Sequence, residues 1–210
     1  MTRYAFAERL TLVSLMEEVG PDAPTLCGTW TTRDLAAHLL LRERRVDAGA
    51  GIVIKRFADR TARVQAEIAG KPYGQLLRDL RNPPWWSLLA NPMLDEAVNL
   101  AEMFIHHEDV RRARPGWEPR DLPSTHQRAL FTQVRRRSRL VLRKFKAVIH
   151  VEAPGFGAVR GGAGGEQTVR ITGTPGELLL FLFGRQAQSQ AVLDGPAELV
   201  ERLHRARLGI

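Results

Sequence analysis

Apolar residues recur at helical spacing through the first 115 residues of this chain, then give way to short β-branched runs broken by glycine clusters. Such a change of period admits few architectures, because helices and strands must bury differently shaped apolar faces. Leu10, Val13, Leu15 and Met16 mark a first helix ending near Gly20-Pro21. Thr31 or Thr32 can N-cap a second, with Asp34 in the first turn, where the helix dipole favours an acid. It continues through Leu35, His38, Leu39 and Val46 and loosens at Gly49 and Gly51. Further helices are expected over about 52–69, 73–80 (broken by Asn82-Pro83-Pro84) and 92–113. In the second half, 124–145 reads as helix, and 147–151 and 168–171 as strands, separated by Gly155, Gly157 and the 161–165 glycine cluster. Thr174-Pro175 with Glu177 opens a helix through Phe183 that Gly184 can stop; a short strand at 191–193 and a helix over 196–208 follow. The class is α+β. A helical domain occupies 1–115, and a small α+β domain with its linking helix occupies 116–210.

A chain of 210 residues can bury roughly 70% of its unfolded surface, so its core needs no disulfide or structural zinc. Cys27 is its only cysteine, which excludes an intramolecular disulfide and fits a reducing compartment. The longest apolar run, Leu178 to Phe183, is far short of a membrane span, and the N-terminal residues do not read as a signal peptide. A cytoplasmic protein is expected. The net charge of +8 raises nucleic-acid binding, but 27 of the 31 basic residues are arginine, as a high-GC genome would also give. The densest basic stretch, Arg135 to Lys146, reads as a solvated helix face with no aromatic or glycine-rich readout motif beside it.

The polar intrusions into the helical stripes carry more information. Leu94, Val98, Glu102 and His106 lie four apart and stack along one helix face, so a carboxylate and an imidazole stand where apolar residues should continue. A buried carboxylate needs a cationic partner. His38 intrudes likewise beside Leu35 and Leu39 and can supply a third ligand across a bundle. Two imidazoles and one carboxylate suit Zn²⁺ with an open position, or Fe²⁺ or Ni²⁺. The plain alternatives are an ordinary Glu/His surface pair and a packed lone histidine. His107 falls on the face of Leu100, Met103 and Phe104 and reads as structural, whereas Asp109 can orient His106 from the next turn. Cys27, next to Gly28, reads as a small turn or core residue, with a nucleophile as the alternative. Trp85-Trp86 and Trp117 read as packing.

Beyond spacing, the stretch Leu26-Cys27-Gly28-Thr29-Trp30-Thr31-Thr32-Arg33-Asp34-Leu35-Ala36-Ala37-His38-Leu39 resembles the first signature of DinB-like, mycothiol-dependent maleylpyruvate isomerase N-terminal domains. The stretch from Asn99 to Ala113 resembles the family's second signature, in which Glu and His four apart bind metal. The segment Glu177 to Arg185 and Leu193-Asp194-Gly195 resemble its C-terminal domain, related to sterol-carrier-like folds. This resemblance, to an uncharacterised metal-binding branch, implies a four-helix up-down-down-up bundle, the ligands His38, Glu102 and His106, and a small α+β cap.

A metalloenzyme follows as the leading expectation: a divalent metal activates a low-molecular-weight thiol, mycothiol as the cosubstrate, for transfer, addition or isomerisation of a small anionic electrophile. Arg185 is the candidate catalytic residue for binding a substrate carboxylate, or else a helix-end arginine satisfying carbonyls. The alternatives are a metal-dependent hydrolase using Asp109 or Glu108 as proton acceptor, and a non-enzymatic metal-stabilised module. The expected partners are the thiol and the anionic substrate, without nucleic acid or membrane, and with a homodimer as the candidate assembly.

Overall fold

The computed structural model describes residues 4–45, 58–84 and 92–209, excepting the side chains of 92–95, 97 and 98. The sequence readings at Val46, Gly49, Gly51, 52–57, Trp85 and Trp86, and the apolar start of the stripe at Leu94 and Val98, lie outside the described residues. The fold is α+β, with eight α-helices and one four-stranded mixed sheet among the described residues. The chain divides into two compact units, 1–119 and 120–210.

In the first unit, α1 (Tyr4–Val19), α2 (Thr32–Arg44), α3 (Ala58–Ala69), α4 (Tyr73–Arg81) and α5 (Pro92–Arg112) follow in order. Gly20, at φ +82°, ends α1 and donates its N–H to the Met16 carbonyl. α2 opens on a reciprocal cap: Asp34 N–H donates to the Thr31 hydroxyl, and Thr31 N–H donates to Asp34 Oδ2 at 2.9 Å. One apolar core joins Leu12 and Met16 of α1, Leu35 and Leu39 of α2, Leu76 and Leu80 of α4, and Met103 and Val110 of α5. Each buried leucine there contributes about 2 kcal/mol, so the four helices hold one another where none would persist alone. Beside this core Arg9 and Glu43 form a fully buried ion pair between α1 and α2, and Arg9 also donates to the Leu80 carbonyl.

The second unit contains α6 (Ser124–Val141), β1 (Val148–Ala153), β2 (Gly157–Gly161), β3 (Thr168–Thr172), α7 (Pro175–Leu182), β4 (Val192–Asp194) and α8 (Ala197–Arg205). The sheet order is β2-β1-β3-β4; β1 and β3 run parallel, and the two outer pairs are antiparallel. Ile149, Val151, Val169 and Ile171 alternate onto the buried face. Two details depart from the sequence reading. β2 forms within what looked like a glycine-rich connector, because Val159 supplies a buried anchor and the backbone pairs with β1 whatever its side chains. And α6 stops at Val141 rather than near 145: Leu142 is fully buried under Gly161, and the Phe145 carbonyl accepts from Ala147 and Ala163, drawing the chain toward the sheet. Thr174 and Pro175 open α7 as their types demand, and Gly184 follows it at φ +87°. In the basic stretch Arg135, Arg136, Arg139, Arg143, Lys144 and Lys146 are exposed, while Arg137 turns inward onto the Phe183 ring and the Leu182 and Leu208 carbonyls. No helix among the described residues is long and apolar enough to cross a membrane.

Candidate metal centre

The three intruding side chains meet within the first unit. One donor atom from each of His38, Glu102 and His106 lies within 4.8 Å of the others. α2 supplies His38 from the helical face that buries Leu35 and Leu39, and α5 supplies Glu102 and His106 one turn apart. Both histidines are buried at 8% exposure, and the Glu102 side chain is 22% exposed, so the cluster opens on its carboxylate side. The His38 and His106 rings stand edge to face with centroids 5.5 Å apart, and Trp30 packs against His38 at 5.0 Å.

The two edges of His106 are used differently. Nε2 lies 3.4 Å from Glu102 Oε2, while Nδ1 lies 2.9 Å from Asp109 Oδ2. Asp109 is fully buried and fixes the ring so that Nε2 points at the cluster. Cys27 completes this outer layer. Its thiol donates to Asp109 Oδ2 at 3.1 Å and lies 3.8 Å from His106 Nδ1, so Cys27, His106 and Asp109 form a second convergent group. The reading of Cys27 as a turn residue is therefore incomplete. It does sit in a turn, where Trp30 N–H donates to the Cys27 carbonyl and Gly28 takes φ +66°, but that turn aims the sulfur at the cluster's support.

Charge follows geometry. Burial, reinforced by the neighbouring His106 and Arg42, lowers the His38 pKa to about 4, which leaves its imidazole neutral at pH 7. Burial would raise Glu102, but a hydrogen bond from His106 and the positive charge of Arg42 prevail and hold it at about 2. Burial would likewise lower His106, yet hydrogen bonds with Asp109, Cys27 and Glu102 raise it well above 6.5. Two of the three donors thus stand in the form a metal requires, and the third exchanges a proton for it. The donor set fits a divalent metal: two nitrogens, one ionised oxygen, and an imidazole backed by a carboxylate.

The other candidate residues have partners of their own. His107 is buried and pairs with Glu8 of α1 at 2.8 Å, a packing role. Glu108 is buried and held by Arg111 and Arg112, and Asp109 lies at the Nδ1 edge of His106, opposite the one facing Glu102. Arg112 covers the Trp117 ring at 4.4 Å. Arg185 belongs to the second unit, where it donates to the Phe183 carbonyl at 2.6 Å, the contact of a helix-end arginine. Sequence reading missed Arg42, one turn beyond His38, whose guanidinium lies 3.5 Å from Glu102 Oε2. Its position four residues after His38 was the available signal. Comparison with protein families, curated proteins and solved structures finds no match for this chain.

Proposed function

We propose that this chain is a divalent-metal enzyme of small-thiol chemistry, akin to DinB-like, mycothiol-dependent maleylpyruvate isomerases. On this reading the first unit is a DinB-like four-helix bundle and the second a small sterol-carrier-like domain. The observation that carries the reading is the convergence of His38, Glu102 and His106 within 4.8 Å, with Asp109 behind His106. Three protein donors leave coordination positions open, as catalytic rather than structural sites do. A divalent metal held there, zinc by preference and iron or nickel as alternatives, supplies a Lewis acid that makes a bound thiol acidic enough to ionise at neutral pH. The chain's own groups prepare that site. His38 is kept neutral by burial, Glu102 is kept ionised by its neighbours, and Trp30 shields the His38 ring. A low-molecular-weight thiol, mycothiol in this reading, would lose its proton to solvent there and be activated for transfer, addition or isomerisation of a small anionic electrophile.

Thiol addition is favoured over hydrolysis by the state of the two carboxylates that could serve a hydrolytic water. Glu108 is ion-paired to two arginines, and Asp109 is spent on His106 and Cys27. Elemental analysis of the purified protein tests the metal: about one equivalent per chain is expected, falling close to zero in His38→Ala and His106→Ala. Absence of metal from the wild type, or its retention in both variants, would sink the reading. Mycothiol should then shift the visible spectrum of the Co²⁺-substituted protein.

A further inference from the structure

Arg42 is the cation of the cluster, and its pairing with Glu102 leaves one of its donor atoms unsatisfied. It follows His38 by one turn on α2, so both side chains project from one helix face. Its Nη1 is 3.5 Å from Glu102 Oε2, longer than a good N–H···O hydrogen bond. That nitrogen is nonetheless shut off from solvent and has no hydrogen-bond acceptor among the described residues, although the side chain as a whole is 20% exposed. A buried guanidinium N–H without an acceptor is costly, and it persists where a ligand completes it. The charge count points the same way. With His38 and His106 neutral, a divalent cation and Arg42 together outweigh Glu102 and Asp109 by one positive charge. Glu102, the only acidic partner of Arg42 among the described residues, would then be shared with the cation.

We infer that Arg42 is an anion-binding residue of the metal centre, receiving the carboxylate of a small monoanionic substrate beside the metal's open positions. The inference rests on the metal reading above and specifies what the site accepts. A planar guanidinium suits a carboxylate, to which it can donate two parallel hydrogen bonds. Nη1 itself is enclosed, but the partial exposure of the rest of Arg42 and of Glu102 gives such a molecule an approach, with a turn of the guanidinium toward it, that the two buried histidines do not offer.

The test uses full-length protein loaded with Co²⁺, titrated separately with acetate and with neutral imidazole while the visible spectrum is followed. Arg42→Gln should weaken acetate binding about tenfold or more while leaving Co²⁺ and imidazole affinities within about threefold, the loss expected for a charge-assisted pair. Arg42→Lys, which keeps the charge but not the fork, should recover part of the acetate affinity. Thermal unfolding establishes that each variant is folded. If Arg42→Gln lowers Co²⁺ affinity and leaves acetate binding unchanged, Arg42 only positions Glu102 and the inference is overturned. If acetate and imidazole weaken equally, it is overturned as well. If the wild-type protein takes up no Co²⁺, the metal reading itself falls, an outcome visible before any acetate is added.

Discussion

Asp109 Oδ2 lies 2.9 Å from His106 Nδ1, on the ring edge opposite the one that faces Glu102. A carboxylate so placed fixes which nitrogen faces the cluster and makes it a better donor. Asp109→Asn keeps the shape and removes the charge. Metal affinity should fall about 10- to 100-fold with the helical circular dichroism unchanged. Competition against a chromophoric chelator measures it, and an unaltered affinity would mean that Asp109 serves packing alone.

Metal uptake at pH 7 should release about one proton per ion, and His106 should be its source. His38 and Glu102 are already deprotonated there, with pKa values of about 4 and about 2, while His106 is raised well above 6.5. Calorimetry in buffers of different ionisation enthalpy reads the number directly. An absence of release would contradict the assigned states.

Stability of the metal-free protein should depend on pH in a way that separates the two histidines. The folded pKa of His38 is depressed, so its contribution is complete above about 6.5 and is lost as pH falls toward 4; the span is on the order of 3 kcal/mol. His106 is raised, so its contribution is complete below about 6.5 and is lost as pH climbs through its folded value. Urea midpoints from pH 4 to 7 should therefore rise in the wild type and flatten in His38→Gln.

Cys27 tests which of the two convergent groups takes the ion. With His38, Glu102 and His106 as ligands, Cys27→Ala should keep its metal, and the Co²⁺ protein should show no sulfur-to-cobalt charge-transfer band in the absence of added thiol. Loss of metal in Cys27→Ala would move the site to Cys27, His106 and Asp109.

The buried Arg9–Glu43 pair should matter more when broken than when replaced. Glu43→Ala removes the carboxylate partner of a guanidinium in the core and should cost about 3–5 kcal/mol, whereas Arg9→Met with Glu43→Leu should recover most of that in urea unfolding.

The helical half was legible in the sequence because its elements carry their own boundaries: Thr31 with Asp34 opens α2, and Gly20 closes α1. Glu102 and His106 were legible as a pair because four residues make one turn, and His38 as an intrusion into an apolar stripe. Local spacing could not show the long-range contacts. Cys27 reaches Asp109 across 82 positions of sequence, and Glu8 reaches His107 across 99. β2 was hidden for a different reason, since strand pairing uses the backbone and needs little from side chains when a neighbour is in register. The early end of α6 is a tertiary effect, set by a leucine that fits under Gly161.

The side chains of the Thr31–Asp34 cap are spent on one another at the start of α2, yet the cap sets the angular phase of everything downstream on that helix. Each residue advances a helix by about 100°. His38 and Arg42 face the cluster because they fall seven and eleven residues after Thr31, near two and three whole turns. One residue inserted between Thr31 and His38 would swing both side chains away together while sparing the helix, and one removed would swing them the other way. The cap thus works as an indexing pin, and the alignment of the centre is decided a full two turns before its first ligand.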